Sequence, residues 1–345
     1  MEIGIYTFGD LPIGVRGPEA AQQRLQEILA AARLADEAGL DVFGVGEHHR
    51  SDYAVSAHSV VLAAVAAVTR RIRLTSAVTI LSSADPVRVF EEFTTLDLLS
   101  GGRAELMAGR GAFIESFALF GHDLQDYDSL YEEKLDLLLQ LNRMGDDGRL
   151  SWRGRHRPAL DDAEVAPRPL RGRLPVWIGA GGTPQSALRA GQLGLPLNLA
   201  NIGGEPARFK PFIELYREAG RRAGHAEADL RVAVSAHGHV QRDAQQAREQ
   251  FYPYYSRYLR HNLPNRDQGW AMPRATYEHL ASPVGCLFVG SPQQIVDKIL
   301  YEHELFGHQR FLAQVDIGGQ PFAQVAQSIE LLATEVLPAV RRALA

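Results

Sequence analysis

"RLTSAVTIL" (73–81), "PVRVFEEFTTLDLLS" (86–100) and "RAELMAGRG" (103–111) follow one another as an apolar run of strand length, a segment of helical periodicity and a second apolar run. Strands with nearly continuous apolar character are buried on both faces, as in a parallel sheet covered by helices, and a parallel pair needs a crossover such as the helix between these two. The same unit recurs along the chain. Strand-like runs also stand at 2–8, 41–48, 175–182, 195–204, 231–240 and 310–319, which brings the number to eight. Between them lie helical periodicities, for example Leu25, Ile28, Leu29, Ala32 and Ala35 in a segment opened by Pro18 and closed by Gly39. Eight strands alternating with helices predict a closed (β/α)8 TIM barrel rather than an open doubly wound sheet.

Residues 1–345 read as one barrel domain, since α/β barrels routinely reach this length. Three stretches break the alternation: 112–127, the Arg- and Pro-rich 145–174, and 263–286. They are expected as insertions over the barrel mouth, at the C-terminal rim, and as candidate lids. "GGTP" (181–184), "GGEP" (203–206) and "GGQP" (318–321) each follow an apolar strand, and each reads as a short loop with Pro at the first helical position. All three belong at the C-terminal ends of the strands, where active sites of this fold lie.

Composition narrows the partners. A formal net charge of −5, with Lys and Arg scattered, offers no basic stripe to nucleic acid or to an anionic bilayer. The longest apolar run, 60–68, is too short to span lipid, and the first residues do not read as a signal peptide, so a soluble cytoplasmic protein is expected. The single cysteine, Cys286, sits in "GCLFVG" and reads as a buried thiol, so any redox chemistry must come from a cofactor.

"VGEHHR" (45–50) ends the second strand with Glu47, His48 and His49 at the rim. A polar strand end can simply meet solvent, but three adjacent ionisable groups at a barrel mouth favour function. Alternation along the strand sends His48 to one side and Glu47 and His49 to the other. A histidine there can move protons near neutrality. A metal is the competing reading, because "EHH" and His237 with His239 are ligand-type residues; no His-Glu-X-X-His helix motif supports it. Phosphate binding has more behind it. Gly181, Gly182 and Thr183 offer backbone N–H groups at a helix N-terminus and a hydroxyl, and Arg110 ends the neighbouring strand between two glycines. Neither loop completes the dinucleotide fingerprint, so the ligand reads as a mononucleotide phosphate.

"GVGEHHRSDY", "LTSAVTILSSADPVRVFEEFTTLDLLSGGRAELMAGRG", "VWIGAGGTPQSALRAG" and "FVGSPQQIVDKI" together resemble the bacterial luciferase-like, flavin-dependent monooxygenases over nearly the whole chain. The resemblance implies a (β/α)8 barrel, often dimeric, that binds FMN received reduced from a separate reductase and acts with O2 on a small organic substrate. It further implies a non-prolyl cis peptide at Ala77 and Val78 behind the flavin, a phosphate site at Arg110 and Gly181, Gly182 and Thr183, Glu91 orienting Arg110, and His48 as the active-site histidine. Phe113, Phe117, Phe120, Trp270 and Tyr277 in the inserted stretches are candidates for a water-excluding shield or for ordinary satellite core. The luciferase catalytic subunit carries a reactive cysteine where this chain has Gly109, so light emission is not expected. Some relatives use the deazaflavin F420 for hydride transfer, and others only bind flavin; both remain alternatives.

Overall fold

A computed structural model of the protein describes residues 1–111, 113–145, 148–263 and 269–345. Its strands are β1 (Glu2–Thr7), β2 (Val42–Val45), β3 (Arg73–Ser76), β4 (Thr79–Ile80), β5 (Ala104–Gly109), β6 (Arg149–Trp152), β7 (Leu160–Glu164), β8 (Val176–Ala180), β9 (Leu197–Ala200), β10 (Val232–Val240), β11 (Phe288–Gly290) and β12 (Arg310–Gln314). Its helices are α1 (Pro18–Ala38), α2 (His58–Val68), α3 (Pro86–Ser100), α4 (Glu115–Leu119), α5 (Tyr127–Arg143), α6 (Pro184–Leu193), α7 (Lys210–Arg222), α8 (Ala244–Asn262), α9 (Arg274–Leu280), α10 (Pro292–Phe306), α11 (Phe322–Leu331) and α12 (Leu337–Ala343). Parallel pairing runs β12, β1, β2, β3, β5, β8, β9, and β10 closes the ring by bonding both β9 and β12. With β4 continuing β3 alongside β5, all eight predicted strands take their places in a closed parallel barrel ringed by helices.

Local chemistry sets the element ends. Pro18 starts α1, and Gly39 ends it in the left-handed conformation at φ 94°, where a side chain would be strained. Asp85 caps α3 by accepting from the Val87 and Arg88 N–H groups, and Ser291 with Gln294 forms a capping box on α10. The barrel interior is filled in layers, as its diameter requires. At the N-terminal floor, Arg310 is fully buried, donates to both Glu105 oxygens at 2.6 and 3.0 Å and to Glu2 at 2.7 Å, and lies over the Trp177 ring. Above it Tyr6, Val42, Met107, Trp177, Ala233 and Leu312 form the central apolar layer, joined by Ala77 and flanked by Phe8 and Val78.

The three irregular stretches separate. Residues 113–127 hold α4 at the rim after β5. Residues 269–286 hold α9, which packs with α8 and β11 in a satellite apolar cluster containing Tyr277, Met272 and Cys286. Residue 112, residues 146–147 and residues 264–268, which belong to these expected insertions, lie outside the described residues. Residues 148–174 start from the end opposite the mouth, and their tip reaches the α3 N-cap Asp85. They form the antiparallel hairpin of β6 and β7, which climbs the outer side of α5: Trp152 donates to Asp136, and at the hairpin's far end Arg157 pairs with Asp85. The stretch connects a helix to a strand, so it springs from the opposite end of the barrel from the βα loops. Among the described residues no helix is long and apolar enough to cross a membrane.

Candidate active site

The strand-end triplet divides as alternation requires. His48, 7 % exposed, turns toward the mouth among the rings of Tyr53, Phe8 and Phe113, with centroids at 4.3, 4.7 and 4.7 Å. Its Nδ1 lies 3.1 Å from Glu115 Oε1 on α4. An ionised Glu115 accepts there, so Nδ1 carries the hydrogen and Nε2 is the atom left to take or give a proton. Burial alone would raise the Glu115 carboxyl, but the His48 hydrogen bond and the charges of His48 and Arg50 hold it below the ordinary glutamate value. Glu47 and His49, grouped with His48 on sequence grounds, bond each other at 3.0 Å instead. Glu47 also accepts from the Ile80 N–H at 2.6 Å and faces His58 of α2, so it braces the strand next to the mouth. Burial pushes Glu47 up, and the His49 bond, the His58 charge and the Ile80 N–H together bring it below its ordinary value.

The Ala77–Val78 peptide is cis, at the position the resemblance marks. The Val78 side chain wedges between two strands. A Cβ on Gly109 would meet Val78 Cγ2 at 2.6 Å, and one on Gly179 would meet Cγ1 at 2.6 Å. This close approach explains glycine at 109, where a side chain has no room.

Arg110 and the first glycine loop come together across the rim. Arg110 donates to the Thr183 hydroxyl at 2.7 Å and to Ser186 at 3.3 Å, and the two hydroxyls bond each other at 2.8 Å. Thr183 is the N-cap of α6 and makes no side-chain cap bond, so the free N–H groups of the helix start and two hydroxyls surround one guanidinium. A Cβ on Gly181 would meet nothing within 4 Å, so the loop borders open space, while Gly182 holds φ 101° against the Phe209 ring. This donor set fits a phosphate. Glu91 does not orient Arg110: on α3 it pairs with Arg88 one turn earlier, at 2.8 Å. Asp128 does, at 2.8 Å, and its exposure lets it yield to an incoming anion at little cost.

The other two glycine loops hold no such set. Glu205 of the second pairs with His279 at the surface. The third is packed shut: a Cβ on Gly319 would meet the Pro12 nitrogen at 2.3 Å, and the Gly318 N–H already donates to the Asp10 carboxylate at 2.9 Å. An internal carboxyl thus fills the place of a ligand in that loop.

Among the shield candidates, Phe113 covers His48 and Phe120 contacts His49, whereas Phe117 stacks on Tyr127 in the core and Trp270 and Tyr277 belong to the satellite cluster. His237 and His239 are buried on β10, and burial pushes each down to about 4. Among the described residues no three His, Cys, Asp or Glu side chains gather as a metal site would require. Sequence reading missed Glu115, Asp128, Ser186 and Tyr53. Ser186 had a signal, one helical turn after Thr183; Glu115 and Asp128 stand in the first turns of α4 and α5, and Tyr53 in the loop after β2.

The family description "luciferase-like monooxygenase" matches residues 1–309. The N-acetyl-S-alkylcysteine monooxygenase of Bacillus subtilis is 32 % identical over 231 residues, 66 % of this chain and 66 % of that protein. Matches to two curated relatives span between half and two thirds of their length, 52 % and 66 %. Among solved structures, the oxygenating constituent of 3,6-diketocamphane monooxygenase of Pseudomonas putida, in complex with FMN, superposes with a TM-score of 0.76 at 20 % identity, covering 98 % of each chain. An F420-dependent secondary alcohol dehydrogenase superposes with a TM-score of 0.73 at 20 % identity over 99 % of each chain.

Proposed function

The chain belongs to the luciferase-like monooxygenases, and from that premise we propose that it is an FMN-dependent monooxygenase that uses reduced FMN and O2 on a small organic substrate. The observation that carries this reading is the Arg110, Thr183 and Ser186 cluster at the start of α6, which shares a rim with the His48 and Glu115 pair. Arg110, Thr183, Ser186 and the glycine backbone would hold the phosphate, and Val78 with its cis peptide would lie behind the ring system. Reduced flavin, when bound, supplies the two electrons that let O2 give one oxygen atom to the substrate and the other to water.

The chain's own residues do the rest. His48 Nε2 holds or moves a proton, Glu115 orients the imidazole through Nδ1, and Phe8, Tyr53 and Phe113 keep water from it. Glu47 and His49 brace the strand. A separate reductase would deliver the reduced flavin in the cytoplasm. A homodimer belongs to this reading as well: Val60 on α2 and Leu99 on the adjoining α3 are 68 % and 67 % exposed, an apolar face that a second copy would cover.

Anaerobic titration with FMN, reduced FMN and F420, followed by admission of O2, tests the proposal. Reduced FMN is expected to bind and O2 to be consumed faster than by free reduced FMN. His48→Ala should bind FMN normally and slow that oxidation about 100-fold, the usual share of a positioned acid or base. Binding of F420 and not FMN would replace the reading with hydride transfer, as in the F420-dependent neighbour. Oxidation no faster than in free solution would leave a flavin-binding protein.

A further inference from the structure

The ends of β1 and β12 carry polar groups that take no part in the reactions above. Asp10 and Asp316 are 3 % and 5 % exposed. Asp10 accepts from the Gly318 N–H at 2.9 Å and from the Gln314 amide at 3.2 Å, and one Asp316 oxygen accepts from the Thr7 hydroxyl. Gln314 and His237 are register partners on β12 and β10. Gln314 Oε1 and His237 Nδ1 are buried and have no hydrogen-bond partner among the described residues, and neither has the second Asp316 oxygen. Buried polar atoms are nearly always satisfied, and Gln314 links Asp10 to the strand on which His237 lies.

Charge points the same way. The Arg24 charge lowers both acids, but Arg24 pairs with Glu27 and donates to the Gln320 carbonyl, and Arg50 is tied to both Asp52 oxygens and to Asn262. Burial, followed by the Asp316 charge, pushes Asp10 up to about 8, so near neutrality it keeps a proton. The patch also adjoins the reactive histidine. The Tyr53 ring stacks on His48 at 4.3 Å and its phenol feels the Asp10 charge, while Tyr258, which feels it too, lies against His237 at 5.6 Å.

We propose that Asp10, Gln314 and His237, with Asp316 behind them, form a subsite for a protonated amine, the ammonium head of the substrate held beside His48. An ammonium presents three donors to the unpartnered acceptors and replaces the proton on the acid pair with its own charge. The assignment rests on the oxidation of a small organic substrate at this mouth.

Calorimetric titration of the full chain, with and without bound FMN, with 2-phenylethylamine and 2-phenylethanol separates the possibilities. The amine is expected to bind at least about tenfold tighter than the alcohol, with release of a proton to buffer. Asp10→Asn and Gln314→Leu should each remove that preference and leave FMN affinity unchanged. Equal affinities, no binding of either probe by the unmodified protein, or a preference that survives both substitutions would overturn the subsite. The FMN titration is read separately, so loss of flavin binding with the amine preference intact would sink the cofactor reading and keep this one.

Discussion

Single side chains decide the chemistry, and the sequence revealed them unevenly. His48 could be read from its place at a strand end, and Arg110 with Thr183 from glycine loops on neighbouring strands; the structure joins the latter at 2.7 Å. Glu91, marked only by the resemblance, pairs with Arg88 on its own helix, and the task falls to Asp128 at the start of α5. Glu115 carried no signal, because it meets His48 across sixty-seven positions of chain. Arg110→Ala is expected to weaken FMN binding by about 1.5–3 kcal/mol, roughly 10- to 150-fold, since hydrogen bonds to a charged group are worth that much. Asp128→Asn should leave affinity equal or better, because it removes an anion that competes for Arg110. Fluorescence titration measures both, and an unchanged Arg110→Ala affinity would place the phosphate elsewhere.

At the scale of elements, periodicity located the strands and helices but not the side of the barrel from which each irregular stretch departs. The 145–174 stretch was grouped with the lids, yet it follows a helix, and the β6–β7 hairpin runs up the outside of α5. Chain order contained that parity: loops after strands lie at the rim, loops after helices at the opposite end. Strand packing carries its own prediction. Gly109 of β5 and Gly179 of β8 admit Val78 between them, and a Cβ at 109 would come within 2.6 Å of it. Valine has little χ1 freedom with which to yield. Gly109→Ala should therefore cost about 1–3 kcal/mol in urea unfolding, the usual penalty of overpacking, and Val78→Ala in the same chain should recover most of it. Additive effects of the two changes would show that the wedge is not the cause.

The whole molecule adds what no element holds. Closure brings β1 against β12, and with it Asp10 against Gly318 and Gln314, some three hundred positions away. Buried acids that result from such closure make stability depend on pH. Burial pushes Asp10 and Glu302 up to about 8, and Asp316 is raised as well. The folded chain keeps protons that the unfolded chain releases near pH 4, so stability falls as pH rises toward 8. His237 and His239, pushed down by burial, cost stability only below their ordinary value of 6.5, and Lys134 and Lys298, lowered to about 8, act only above that. Between pH 6.5 and 8 the acids dominate, and the unfolding free energy should drop by roughly 1.4 kcal/mol per pH unit for each one still protonated. Urea midpoints across that window test it: Glu302→Gln should flatten the slope, and a level profile in the unmodified chain would mean that these carboxyls are ionised in the fold.

The sequence by itself determined the barrel, the strand order in the chain, the rim position of His48 and the two halves of the Arg110 cluster, because hydrophobic period, helix punctuation and glycine turns act over a few residues. Only the tertiary structure decided which carboxylate meets which cation, which of three similar glycine loops stays open, and which buried acceptors share a wall. Those outcomes depend on distances between strands and loops that ring closure sets, and on burial, which changes a carboxyl's charge without changing its letter.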